Sequence, residues 1–490
     1  MKKLSLLFCV FYNTVLLSQT VLNSFPLDLN RPLENGQMLN TEDVKTNDIY
    51  VFAADDKYIN ILQYNKFLFL KNQFRDSIKN AENRSIIGHS ISDDGNPILY
   101  WATDNLRNIR IIKYYLETKT IRALNFDMPL NNEYIISSFQ KNNIFYILSK
   151  ETDQQHLLLY EFNNGKCEIK MFDFSAIPFQ NEKGQSLSFN TLIRYYPIEK
   201  MDTDNFNPLD KTSSKSKMYV LENEIILTFD YNLKSTKVLN LNFETLGVSE
   251  KIFNQPVSKT ASKTSNSFFY DNKLLQVKAS NEELLFDIKA FDSGKTLKNF
   301  TISKNDTIPF KNSPLFVQIS QKKPQEVKTT AKFLKQLSDL NAGISAFKNR
   351  KNTFISLGGF AEYQVLNYNY GQDNFFGDFN NPGYSEYSNK MVFFDSMFNS
   401  GFEFVNSKQP EPLAIDNVYY YLSINKNISL QNILKVKDDY ILGYYDPKLR
   451  QFIMRKFTDG FMNEDNGNPI MNKAQFSKPS TFGKIKFIEN

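Results

Sequence analysis

The strongest constraint on this chain is a unit that recurs along it: a short apolar-alternating run, a polar turn, a second alternating run, and a closing turn that often carries Gly. Segments 98–120, 144–166, 225–247, 274–295 and 441–460 all show it. Apolar residues alternate within the runs, and Asp, Asn, Lys and Gly occupy the breaks, so each unit reads as two strands joined by a hairpin. A single hairpin cannot bury its own face. The first two copies begin at 98 and 144 and a later pair at 225 and 274, a spacing of about 45 residues, which is the period of stacked four-stranded propeller blades. Runs at 134–139, 218–223, 267–272 and 431–436 supply flanking strands, and 296–302 suits an outer edge. With 49–70 as a first unit, and 343–363 plus 390–398 as a sixth split by a long loop insertion, the sequence predicts an all-β chain. Its expected fold is a β-propeller of about seven four-stranded blades. A tandem of β-sandwich domains is the rival, but the shared turn position within each unit favours blades.

Composition agrees. At 490 residues the chain is too long for one ordinary core. Its 44 Phe and 26 Tyr are residues that pack well on a pleated, half-buried surface. Segments 202–217, 255–267 and 407–417, rich in Ser, Thr, Lys, Asn and Pro, read as surface loops between blades. One short helix is expected over Thr329–Leu340, where Phe333, Leu337 and Leu340 recur at helical spacing ahead of a stop at Asn341–Gly343. The expected organisation is a leader at 1–18, an N-terminal extension at 19–47, the propeller at 48–462 and a tail at 463–490.

The leader rests on Lys2 and Lys3, the apolar run Leu4–Leu17, and the small-residue exit at Ser18 before Gln19. The run is too short to span a bilayer, so the expectation is export, a mature chain beginning near Gln19 and no transmembrane segment after leader removal. Cys9 lies inside the run behind Leu6, Leu7 and Phe8, which departs from a lipid-attachment pattern. Cys167 is then the remaining thiol, and no internal disulfide can form. Net charge is +5, two units of it from Lys2 and Lys3, and basic residues are scattered among acidic ones. That distribution excludes nucleic acid as the main partner.

Catalytic chemistry is hard to place. His89 and His156 are the two histidines, and both read as structural, since general-base use needs a positioned partner. Metalloprotease, nucleophile-elbow and phosphate-loop patterns are missing from the sequence. Cys167 sits beside Glu168, without the electropositive setting that makes a thiolate. Asp202, Asp204 and Asp210 with Asn205 and Asn207 are hard oxygen donors, yet Phe206 falls where a calcium loop needs a fifth-position ligand and Gly is missing from the sixth. A solvated loop is expected there, with no metal and no cofactor. The pairs Asp55-Asp56, Asp93-Asp94 and Asp438-Asp439 read as turn residues rather than facing glycosidase carboxylates.

On its repeat pattern, its Lys/Asn/Phe/Tyr-rich composition and the stretches KFLKQLSDLNAGISAFKN and FISLGGFAEY, the chain resembles the uncharacterised exported β-propeller proteins of Bacteroidota. The resemblance implies a periplasmic protein associated with the outer membrane. A specific case is a plug-like accessory subunit of the type 9 secretion translocon. The expected function is therefore a non-enzymatic binding or scaffold protein with a protein partner at the outer membrane. The alternative is an exported polysaccharide-degrading or other hydrolytic enzyme, because propellers host carboxylate or Tyr chemistry that has no local signature. The expected contact surface is the insertion 364–389 with its flank: Tyr363, Tyr368, Tyr370, Phe375, Phe376, Phe379, Tyr384 and Tyr387. Aromatics anchor interfaces, and Asp373, Asp378 and Glu386, with no Lys or Arg beside them, make the segment acidic. A covering role for these rings over the neighbouring blade is the competing reading.

Overall fold

The computed structural model describes residues 19–78, 85–181, 184–320, 322–348, 352–367, 384–406, 412–437 and 439–460. They form seven sheets of four or five strands and a two-stranded ribbon, Phe179–Gln180 with Ser186–Leu187. The first three sheets are plain four-stranded meanders over 37–77, 85–127 and 133–173, and the fifth covers 264–303. In the fourth, Ile198–Met201 runs parallel to Ser216–Val220 and adds a strand to the meander over 216–254. The sixth is built on Asn341–Lys348, Thr353–Asn367 and Tyr384–Phe398. Its outer strands Phe316–Ile319 and Gln325–Glu326 come from upstream. The seventh joins Ser429–Val436, Asp439–Asp446 and Gln451–Phe457 to Gln19–Pro26, near the start of the chain.

The hydrophobic clusters show how these sheets are arranged. Phe52 and Ile61 of the first sheet pack with Leu99 and Trp101 of the second. Tyr100 of the second then packs with Phe145 and Phe162 of the third. Leu148 meets Leu227 across the third and fourth, and one continuous cluster joins the fourth, fifth and sixth. Phe354 and Met397 of the sixth meet Tyr440 and Leu442 of the seventh, and Met454 of the seventh meets Val51 and Leu62 of the first. Each sheet packs face to face on the next and the last on the first. The fold is a closed ring, a β-propeller. Close packing sets local residue choice: a Cβ on Gly88 would lie 2.2 Å from the Phe145 ring, whose centroid is 4.8 Å from that of Tyr100.

An even number of antiparallel strands returns the chain to the face where it started. The short links after Asp127 and Asn254 keep successive sheets in phase, so first strands begin at one face, called lower here, and end at the other, upper.

Several expectations are corrected. Segment 19–47 is not an extension ahead of the ring: Gln19–Pro26 is the outer strand of the last sheet, and Gln37–Glu42 is the first strand of the first. The sheets are not all four-stranded, because the fourth and sixth have five. Besides the helix Thr330–Leu337, capped by the Thr329 side chain, there are helices at Pro32–Asn35, Phe189–Tyr195, Leu209–Thr212 and Ala414–Ile424. The last starts inside the supposed loop 407–417. It is held by Asp416 Oδ2, which accepts from Leu413 N at 3.0 Å, and by Asp459 Oδ1, which accepts from Ala414 N at 2.8 Å.

Segment 202–217 also fails as a surface loop, whereas 255–263 is the largely exposed link between the fourth and fifth sheets, and only the end of 255–267, Thr264–Ser267, belongs to a buried strand. Thr212, Ser216, Lys217 and Thr264–Ser267 are buried. The Lys217 ammonium donates to Asp230 Oδ2 at 3.0 Å, to Ser214 O at 2.7 Å and to Asn266 Oδ1. Thr236 and Ser267 hydroxyls donate to the same carboxylate at 2.7 and 2.8 Å. Lys217, Asp230, Thr236, Asn266 and Ser267 can be buried because they satisfy one another across the fourth and fifth sheets. Residues 1–18 and 461–490, where a leader and a tail are expected, lie outside the described residues.

Candidate functional site

The sixth sheet departs most from the regular unit. Its two middle strands, Thr353–Asn367 and Tyr384–Phe398, pair in register over their whole length, from Thr353 with Phe398 to Asn367 with Tyr384. The first strand accompanies them as far as Phe360, opposite Asn341, and the outer strand as far as Lys390, opposite Ile319. From Glu362 to Asn367 and back from Tyr384 to Asn389 the pair runs on alone from the lower face, for roughly 17–20 Å at the usual rise per residue. The base of the supposed loop insertion 364–389 is thus paired ribbon, because backbone pairing continues past the end of the sheet.

The ribbon is anchored at its root by small residues. Gly343, Gly358, Phe393 and Phe316 form one register row across the sheet. A Cβ on Gly358 would lie 2.0 Å from Val392 O, and one on Gly359 would lie 2.7 Å from Leu337 Cδ1. The helix Thr330–Leu337 packs onto the root through that second gap. Ser320 N donates to Asn389 O at 2.8 Å, and the Ser320 and Ser388 hydroxyls are 3.0 Å apart, which ties the outer strand to the ribbon where it leaves the sheet.

Of the sequence-derived contact residues, Tyr363 lies on the ribbon opposite Ser388 and is 39% exposed. Tyr384 and Tyr387 are on the returning strand, opposite Asn367 and Gln364. Tyr368, Tyr370, Phe375, Phe376 and Phe379 lie outside the described residues. Beside the root, burial pushes the Asp210 carboxyl above its usual range, and the nearby charge of Glu362 adds to the push.

Asp210 belongs to a feature the sequence reading missed. After pairing inside the first strand of the fourth sheet, the chain crosses the ring. Lys435 of the seventh sheet donates to Asp204 O at 2.6 Å, and Lys141 of the third lies 4.0 Å from the Asp204 carboxylate. Phe206 packs in the cluster between the sixth and seventh sheets. Leu209 lies with Phe393 and Phe316, over the space left by Gly343. Segment 196–215 therefore fills the axial channel. Ile198 and Met201 stand three apart with Glu199 and Lys200 between them, so no period-two pattern marks this strand in the sequence.

The other candidates resolve locally. Asn207 folds its side chain onto Asp202 N at 2.8 Å and Asp202 O at 2.7 Å, and Lys200 lies 3.4 Å from the Asp202 carboxylate. Among the described residues no group of three or more His, Cys, Asp or Glu is arranged to hold a metal ion. His89 is buried with Nε2 2.7 Å from Thr41 Oγ1, and burial pushes it down to about 3. His156 sits between Glu151 at 3.0 Å and Asp173 at 3.6 Å. Burial, with Glu161 adding to it, pushes the Cys167 thiol up to about 12. Asp55 accepts from Lys57 N and Tyr58 N, and Asp94 from Asn96 N, so both are turn residues. Asp438 lies outside the described residues.

Two lines of comparison end without a relative: no protein-family model matches the chain, and no curated protein matches it. Solved structures give remote likenesses. The β-propeller domain of Nup133 from Vanderwaltozyma polyspora is 11% identical, with 90% of this chain and 97% of that one covered and a TM-score of 0.32. The WD40 domain of SCAP from fission yeast is 8% identical over 91% of this chain and 92% of that one, with a TM-score of 0.28. The Dos1 propeller is 12% identical over 89% and 83%, with a TM-score of 0.26.

Proposed function

We propose that this chain is a seven-bladed, non-enzymatic binding scaffold, exported to the periplasm, that engages an outer-membrane protein through the ribbon of its sixth blade. The observation that carries the reading is the ribbon itself: a rigidly rooted pair of strands leaving one face of an otherwise regular ring. Propellers present such projections to partners while the ring supplies rigidity. The axial channel, the usual small-molecule position, is filled by the chain's own segment 196–215. The acidic, aromatic stretch 363–389 suits a partner surface with cationic and apolar character. An accessory of the type 9 secretion translocon is the specific case that the resemblance to exported Bacteroidota propellers suggests.

Affinity capture from envelope extracts tests this. Wild-type protein is expected to retain a stoichiometric outer-membrane partner. A variant with Tyr370, Phe375, Phe376 and Phe379 replaced by Ser is expected to lose it with a thermal midpoint nearly unchanged. Loss of stability before loss of partner would mean that the rings cover the blade. Turnover of a glycan by the purified protein would overturn the non-enzymatic reading.

A further inference from the structure

Every blade of the ring has an outer edge, and each of these edges is guarded against pairing with another chain. The outer strands Leu70–Ser77, Thr120–Asp127, Lys166–Asp173, Val248–Asn254 and Thr296–Ser303 carry Arg75, Arg122, Lys166, Lys251 and Lys298. In the sixth sheet the outermost strand, Gln325–Glu326, is only two residues long. In the seventh, Gln19–Pro26 has a register shift between Val21 and Asn23 and ends on Pro. The ribbon has none of these devices. Glu362–Asn367 and Tyr384–Asn389 hold no Lys, Arg or Pro and pair without a register shift, and among the described residues no further strand lies beside either. At the root of its outer edge, Ser320 N donates to Asn389 O at 2.8 Å. The period of two then directs the N–H and C=O of Tyr387 and Ser385 to that same edge.

We propose, on the reading of the ribbon as the scaffold's contact element, that this outer edge is a β-addition site that takes up an extended, cationic strand of the partner protein. Alternating backbone donors and acceptors are matched by another strand and not by a lipid or a sugar, so the edge selects a polypeptide. Charge selects which one. Residues 362–389 hold Glu362, Asp373, Asp378 and Glu386 and no Lys or Arg. A second copy would bring the same carboxylates against these, which repels, whereas a strand with Lys or Arg at alternate positions is attracted. The acidic residues therefore guard the ribbon against pairing with itself, and a cationic strand turns that guard into attraction. In this mode main-chain bonds supply affinity and the alternate side chains supply specificity.

The test is fluorescence anisotropy of the full chain with a capped, labelled peptide, Thr-Lys-Val-Lys-Val-Lys-Thr, against two controls: the same peptide N-methylated throughout, which keeps the charge but removes the backbone donors, and a version with Glu in place of Lys. Wild-type protein is expected to bind the first peptide at least about tenfold more tightly than either control. Ser385→Pro removes an outward N–H while the ladder to Thr353–Asn367 keeps its own bonds, so it should weaken binding at least about tenfold at an unchanged thermal midpoint. Ser385→Ala keeps the donor and should bind as the wild type does. Four results would overturn the proposal: no binding of the basic peptide, equal binding of either control, equal binding by Ser385→Pro, or a wild-type oligomer that Ser385→Pro dissolves. If envelope capture is lost when Tyr370, Phe375, Phe376 and Phe379 become Ser but kept in Ser385→Pro, the scaffold reading stands and the edge is not the contact.

Discussion

At the residue scale, the informative groups are polar side chains buried where the ring needs them. His89 is held neutral: its folded pKa, pushed down to about 3 by burial, lies below the unfolded value of 6.5. The unfolded chain therefore takes up a proton first as pH falls, so this contribution is complete above about 6.5 and is lost progressively toward 3. Each pH unit in that window removes about 1.4 kcal/mol. Urea unfolding of the wild type should lose about 2 kcal/mol between pH 6.5 and 5, and His89→Gln should flatten that slope. An unchanged slope would mean that His89 is not the group responsible. Lys217 and Asp230 make the opposite point, since both are fully buried and paired, with Ser214 and Asn266 completing the ammonium's bonds and Thr236 and Ser267 the carboxylate's. Lys217→Met should cost about 3–5 kcal/mol by leaving the carboxylate uncompensated. Lys217→Met with Asp230→Leu should recover most of it, because a buried pair is weakly stabilising against apolar replacements.

At the element scale, glycine decides how closely helix and sheet approach. Gly359→Ala would push a methyl to 2.7 Å from Leu337 Cδ1 and 3.0 Å from Leu340 Cβ. The expected cost is about 1–3 kcal/mol in chemical unfolding, as for other overpacked cores. It should come with a change at the ribbon root, because the helix Thr330–Leu337 rests there. Gly95→Ala meets nothing within 4 Å, but its φ is +74°, so about 1 kcal/mol of backbone strain is expected. If Gly359→Ala proved the milder of the two, the helix would not be seated as described.

At the scale of the whole molecule, the ring closes through a seam between chain segments more than 420 residues apart, Gln19–Pro26 and Gln451–Phe457. Deleting residues 19–26 exposes the edge of Gln451–Phe457 and part of the cluster containing Leu27, Val51 and Met454. Such a chain should unfold at lower urea with a broadened transition by circular dichroism and should associate at micromolar concentration. A sharp, monomeric transition near that of the intact chain would show that closure contributes little.

The sequence alone determined the hairpins, because a period of two in apolar residues is a local property. The middle strands of the second, third, fourth, fifth and seventh sheets match 98–120, 144–166, 225–247, 274–295 and 441–460, with starts that differ by no more than two residues. Asp55 and Asp94 likewise cap turns through their own neighbours. Of the ribbon, the sequence made the aromatic and acidic character legible, but not the pairing from Ala361 to Asn367. The helix Ala414–Ile424 was hidden by β-branched and aromatic residues with low helix propensity, and it forms because its apolar face packs against the seventh sheet. Only the tertiary structure decided that Gln19–Pro26 closes the ring, that Lys217 is buried and that segment 196–215 crosses the axis. The physical reason is common to all three: each depends on a partner far away in the chain, and a polar segment with distant partners has the same local pattern as one that faces water.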